Sequence, residues 1–385
     1  MPRYRLLTPG PVAVPERVRL AMAQTLVHHR APDFEPVFEE IRANLKRVFQ
    51  TEQEVLVLAS SGTGAMEAAV ANTLSPGDLA VVVRGGKFGE RWSELCESFG
   101  VEALNVDVEY GSAVTPDAVR SAFERAPEAR ALLVQASETS TGVYHPIEQL
   151  AEIAHEAPDR LIIVDGISAI GVHDIPTDAW GLDVVVSGSQ KSWLLPPGLA
   201  FVTLSERALQ AVRTSTNARY YFDLRSEIDV QPENQTAFTP AISLLAGLRE
   251  ALQIMLGDGL AALFARHEAL ARATRAAMEA LGLELLAPDS PSFACTAVRV
   301  PDGVDGRALV KHVRDRYDMT LAGGQGSLAG QIFRIGHMGD LDGFDILSAI
   351  AAVEMALADL GFPVKLGEGT RAATEIFREF YGERG

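Results

Sequence analysis

The chain has 385 residues, 47% hydrophobic and 22% charged, which is enough apolar content for a full core and more length than one simple domain needs. Its formal net charge of -17 argues against non-specific binding to nucleic acid or to an anionic membrane surface. An anionic ligand would have to be held by a local set of cations or backbone donors. Only five lysines occur (Lys46, Lys87, Lys191, Lys311 and Lys365), so a lysine-based chemistry has few places to sit. Cys96 and Cys295 lie far apart and form no metal or disulfide framework, which suits a reducing compartment. Met1 to Val14 lacks an apolar leader core, and runs such as Leu161–Val164 are far below the roughly eighteen residues that span a bilayer. The expectation is a cytoplasmic protein with no membrane, nucleic-acid or metal partner.

In chain order, Pro9-Gly10-Pro11 reads as a turn. Short apolar runs follow at Val55–Leu58, Leu79–Val83, Ala103–Val106, Ala131–Val134, Leu161–Val164, Val184–Val186 and Leu199–Thr203. They are continuous and not alternating, as strands covered on both faces should be. Amphipathic stretches at Ala65–Thr73, Gly89–Ser98, Thr115–Arg125 and Pro146–His155 separate several of them, and that alternation predicts an α/β fold with a mostly parallel sheet between helices. Thr214–Pro240 is polar and turn-rich and reads as a long functional loop, with one long helical stretch after it from Ile242 to about Leu281. Strands at Ala294–Val300 and Gln331–Ile335 with helices at Gly306–Arg316 and Phe344–Leu360 predict a smaller α+β unit. The expected organisation is an N-terminal arm (1–20), a large α/β domain (21–260), and a connecting helix with a small C-terminal domain (261–385).

Three places after strands could carry chemistry. Ser60-Ser61-Gly62-Thr63-Gly64 opens a helix, where free N–H groups and the helix dipole favour a phosphate. Glu67 stands where a dinucleotide fingerprint needs its third glycine, so a single phosphate is the better fit; an ordinary capped helix start is the plainer alternative. Asp165 ends a buried run, where open α/β sheets bind ligands, and could pair with a protonated ring nitrogen or merely cap a loop. Lys191 follows another run 26 residues later; burial there would lower its pKa and free the amine to attack an aldehyde. Phe88 could stack on a flat ring or simply pack, and Thr139 could donate to a phenolic oxygen or shape a turn. Arg334, inside the apolar Ile332–Gly336 run, must find an anion, either a substrate carboxylate or a structural partner.

Six segments resemble, in order, class V of the pyridoxal-phosphate-dependent aminotransferases, in particular the alanine–glyoxylate and serine–pyruvate branch. They are Thr8-Pro9-Gly10-Pro11, Ser61-Gly62-Thr63-Gly64 with Glu67, Glu138-Thr139-Ser140-Thr141-Gly142, Val164-Asp165-Gly166-Ile167-Ser168, Gly188-Ser189-Gln190-Lys191 and Phe333-Arg334-Ile335-Gly336. The resemblance implies an aspartate-aminotransferase-like fold and a homodimer with active sites at the interface. It implies that Lys191 carries pyridoxal 5'-phosphate as a Schiff base and that Asp165 pairs with the pyridine nitrogen. Ser61, Gly62, Thr63 and Gln190 would hold the phosphate, Phe88 and Ile167 would flank the ring, and Thr139 would reach its oxygen. Arg334 and Gly10 would meet the substrate, and Thr236 or Thr239 would complete the phosphate cup of the neighbouring subunit. The implied reaction moves an amino group between alanine or serine and glyoxylate or pyruvate. A lyase on the same fold and an idle scaffold subunit are the alternatives; a cysteine desulfurase is disfavoured because Gly323-Gly324-Gln325-Gly326-Ser327 holds no cysteine.

Overall fold

The computed structural model describes residues 4–382, so the first three residues of the expected arm and the last three of the chain lie outside it. A seven-stranded sheet is built from β1 (Val55–Leu58), β2 (Leu79–Arg84), β3 (Glu102–Asp107), β4 (Ala131–Gln135), β5 (Leu161–Asp165), β6 (Val184–Gly188) and β7 (Ala200–Leu204), in the order β1-β7-β6-β5-β4-β2-β3. Six strands run the same way, and β7 runs antiparallel to both its neighbours. Side chains alternate across each strand, so Ile162 and Val164 of β5 enter one apolar layer while Leu161 and Ile163 enter the other. Both layers are covered by helices, which is why these strands read as unbroken apolar runs. Each such side chain contributes roughly 1.5–3 kcal/mol when fully buried.

A third core gathers Phe333, Ile335, Ile350, Val353 and Phe377 from the C-terminal half. Its sheet pairs β8 (Cys295–Arg299) and β9 (Ala322–Gly323) against a central β10 (Ile332–Gly336). The N-terminal arm belongs with this core: Arg5–Leu6 pairs in parallel with Met319–Thr320, and Gly336 N donates to Leu7 O at 2.7 Å. A Cβ at Gly336 would stand 2.3 Å from Thr8 O, so glycine alone lets the arm pass this close.

The structure departs from the sequence reading in two elements. Ile242–Leu281 is two helices, Ile242–Leu256 and Leu260–Ala280, broken where Gly259 takes a φ of +85°. Thr214–Pro240 is not all loop: Asp223 caps a helix at Leu224–Val230, and Gln231 anchors it by exchanging hydrogen bonds with the backbone of Val57. Among the described residues no helix is long and apolar enough to cross a membrane.

Candidate active site

Ser61, Phe88, Thr139, Asp165 and Lys191 all leave the sheet at the C-terminal ends of its parallel strands, so strand direction alone collects them along one edge. Asp165 is the last residue of β5 and is 5% exposed. Its Oδ1 accepts one hydrogen bond, from Ile167 N at 2.8 Å. Burial raises its pKa to about 7, the charge of Glu138 pushes the same way, and Lys191 and Arg91 push back. Lys191 falls to about 8, again chiefly by burial, with Arg334 and Arg91 adding to the effect. Its Nζ donates to Pro9 O at 2.6 Å and makes no ion pair with Asp165. The two groups feel each other's charge without touching.

The arm closes over the lysine. A Cβ at Gly10 would lie 2.5 Å from Lys191 Nζ, and the φ of +133° there is left-handed space that suits glycine. The Phe88 ring centre is 6.0 Å from the same nitrogen. At the phosphate-like turn, Ser61 caps the helix Gly62–Thr73 without spending its hydroxyl on the backbone, and Ser61 and Thr63 are exposed. A Cβ at Gly62 would meet Ile167 Cδ1 at 2.5 Å, and one at Gly188 would meet Gly62 N at 2.9 Å and Gln190 Oε1 at 3.2 Å. Thus Gly62, Ile167 and Gln190 are drawn together by small residues. Gln190 Oε1 is buried without a hydrogen-bond partner.

Arg334 finds its partners in an unexpected way. Its guanidinium donates to Thr139 O at 2.7 Å and to Gly323 O at 2.7 and 3.1 Å, and among the described residues no carboxylate pairs with it. Of the two alternatives the sequence left open, the structural ion pair is absent among the described residues: carbonyl dipoles hold the guanidinium. Thr236 and Thr239 stand apart on a turn tied to Arg30 and Glu227. Thr236 is buried, its hydroxyl spent on Phe238 O at 2.7 Å, while Thr239 is exposed.

Sequence reasoning passed over Glu138 as more than a motif letter. Its carboxylate is fully buried and accepts from Phe88 N, Gly89 N, Ser140 N and Ser140 Oγ, tying the helix that presents Phe88 to the turn that presents Thr139. Its signal was an acidic residue in a small-residue turn, which composition alone does not distinguish from a solvated one. Arg91 was also passed over, and it brings a second guanidinium to the edge of this site.

The family model for aminotransferase class-V matches residues 18–335. The chain belongs to the class-V aminotransferases. It is a pyridoxal-phosphate-dependent transaminase. Among similar proteins, one named "Soluble hydrogenase, small subunit" from Synechococcus sp. (strain PCC 6716) is 43% identical, with 96% of this chain and 97% of that protein aligned. L-aspartate–glyoxylate aminotransferase from Paracoccus denitrificans (strain Pd 1222) is 39% identical over 97% of this chain and 96% of its own. The crystal structure of pyridoxamine-pyruvate aminotransferase from Mesorhizobium loti superposes with a TM-score of 0.93 at 27% identity, covering 99% of this chain and 98% of that one.

The residues present fit the class-V cofactor. A buried carboxylate with one free oxygen, an unpartnered Gln190 Oε1, and close approaches that a Cβ at Gly10 or Gly62 would block converge beside Lys191, and a ligand with a ring nitrogen and a phosphate would answer them together. Lys191 could bond its carbonyl carbon, Asp165 could face its ring nitrogen, and Ser61, Gly62, Thr63 and Gln190 could receive its phosphate.

Proposed function

We propose that this class-V aminotransferase moves an amino group from a small neutral amino acid, alanine or serine, to a small 2-oxo acid, glyoxylate or pyruvate. The observation that carries this reading is Arg334: a guanidinium 4% exposed, held by carbonyls alone, with its positive charge unanswered beside Lys191. Such a fork receives one carboxylate in a bidentate grip and orients the rest of the substrate towards Lys191.

When bound, pyridoxal phosphate supplies the electrophilic carbon and an electron-withdrawing ring. The chain supplies the rest. Lys191, with a pKa near 8, has a neutral amine available in mildly alkaline solution, and Nζ is placed to take the proton from the donor's Cα and hold it. Asp165, once ionised, would hold the ring nitrogen in its protonated form. The arm at Pro9-Gly10 lies against the amine, which stays half-buried with its Nζ donating to Pro9 O. Glu138 keeps Phe88 and Thr139 at fixed separation.

The reading includes a cytoplasmic homodimer. Exposed Ser61, Thr63 and Thr239 support a second subunit closing over this edge, and a separate cleft of about 440 Å³ beside Met22, Leu26 and Leu245 gives a further surface to cover; two unpaired cysteines support a reducing compartment.

A donor–acceptor matrix tests the substrates. Alanine or serine with glyoxylate should give the highest kcat/KM, and an advantage for aspartate over both would overturn the neutral donor. With L-serine and no acceptor, one equivalent of hydroxypyruvate per subunit should form and then stop; continued release of pyruvate and ammonia, by loss of the β-hydroxyl as water, would instead mark a lyase.

A further inference from the structure

One cation at the site is left unused by the reading above. Arg91 lies one turn beyond Phe88 on the helix Lys87–Ser98, where side chains three residues apart are neighbours. Its guanidinium carbon is 5.0 Å from the centre of the Phe88 ring, and Nη1 donates to Thr63 Oγ1 at 3.2 Å. It is half-buried, and among the described residues no carboxylate pairs with it, in a chain with 51 acidic residues. Its charge also reaches inward, lowering the pKa of both Lys191 and Asp165. Thr63 is the second residue of the helix; Gly64 N and Ala65 N donate to Ser61 O, and the N–H groups of Gly62 and Thr63 are left for an anion. A guanidinium that bonds a hydroxyl here, with no acid to neutralise it, has its spare donors beside the turn best suited to an anion.

We propose that Arg91 is a positioning residue for the cofactor's phosphate, fixing the Thr63 hydroxyl and neutralising the anion that the Ser61–Gly64 turn receives. This rests on the reading of that turn as the phosphate site. Guanidinium and phosphate match in geometry, so the pairing adds direction as well as charge. One consequence bears on substrate choice. With Arg91 committed to the phosphate, Arg334 remains the one carboxylate clamp, and a neutral donor follows.

Apoprotein affinities for pyridoxal 5'-phosphate and for pyridoxal separate the phosphate contribution from everything else, measured for the wild type, Arg91→Gln and Arg91→Lys. Arg91→Gln should bind the phosphate ester about ten- to hundredfold more weakly and pyridoxal within about twofold, with Arg91→Lys recovering part of the loss. Inorganic phosphate should raise the melting temperature of wild-type apoprotein more than that of Arg91→Gln. Equal losses for both ligands would show that Arg91 merely packs beside Phe88 and would overturn the proposal. So would unchanged affinities, or a rise confined to the KM for L-aspartate, which would assign Arg91 to a donor carboxylate. If the wild type itself holds the phosphate ester no better than pyridoxal, the reading of the Ser61–Gly64 turn falls too; if that preference is present and survives in Arg91→Gln, only Arg91 falls.

Discussion

His173 and His337 are buried as deeply as Asp165, yet the fold treats them differently. His173 lies between the rings of Tyr144 and Phe293, with centroids 4.0 and 4.6 Å away, and its Nε2 accepts from Phe293 N at 3.1 Å. His337 meets Phe293 O through Nδ1 at 3.0 Å and Thr296 Oγ1 through Nε2 at 3.2 Å. Burial pushes both rings down to about 3, so they stay neutral and serve as packing with matched polar edges. Around Lys191, by contrast, Asp165 has one donor, Gln190 Oε1 has none, and Arg334 has no acid. A perturbed pKa is common to both regions; unanswered hydrogen-bonding capacity gathers at one of them. Arg275 beside Phe293 is the exception in the histidine region, with Nη1 buried and unpartnered.

The contrast can be broken most directly at Lys191. Lys191→Ala should lower kcat by about 10⁴-fold or more and abolish the visible absorbance of the bound cofactor. Retention of either would place the chemistry elsewhere. Asp165→Asn is the next largest effect, and it runs against intuition because it stabilises. The folded pKa of Asp165 is raised from 3.8 to about 7, so its stabilising contribution is present below 3.8 and is lost as pH rises to 7. Removing the charge should therefore stabilise the apoprotein at pH 7.5 by up to ~4 kcal/mol, while transamination falls. Chemical denaturation of both apoproteins at pH 4 and 7.5 checks this, and equal stability at both pH values would contradict it.

Much of this was legible in the sequence because the site follows the sheet. Each of the seven apolar runs is a strand, and Lys191, Asp165, Phe88 and Thr139 were found by standing just after one. Periodicity could not show that β7 runs backwards, since a strand buried on both faces looks alike in either direction. Nor could it show Pro9 O on Lys191, a contact across 182 positions that depends on the arm joining the C-terminal core. Arg334 was legible as a misplaced charge in an apolar strand, but its carbonyl partners come from Thr139 and Gly323, and no local pattern records them. Arg91 sat unremarked because an arginine on an amphipathic helix usually faces water.

Arg334→Gln sharpens the comparison on the substrate side. A glutamine amide ends near the position of Nε and can still reach Gly323 O, leaving Thr139 O without its donor at a cost of about 1–3 kcal/mol, which the fold should survive. The lost charge should reduce kcat/KM for alanine by about a hundredfold, mostly through KM, with cofactor affinity unchanged. A fall in kcat with KM unchanged would show that Arg334 does not grip the ground-state carboxylate.

The smallest effect should come from the histidine region, and its sign should reverse with pH. His173→Phe keeps a ring between Tyr144 and Phe293 but strands the Phe293 N–H, a loss of roughly 1–3 kcal/mol at pH 8. In the wild type the folded pKa is lowered from 6.5 to about 3, so the contribution of His173 is whole above 6.5 and drains away as pH falls towards 3. At pH 4.5 that drain is worth ~3 kcal/mol, which the variant does not suffer. His173→Phe should therefore be less stable than the wild type at pH 8 and equal or better near pH 4.5, with unchanged affinity for pyridoxal phosphate at pH 8. Denaturation curves that stay parallel across this range would mean that His173 is charged in the fold. A loss of cofactor affinity would mean that the histidine region and the lysine site, joined through Ser292 and Ser137, act as one unit.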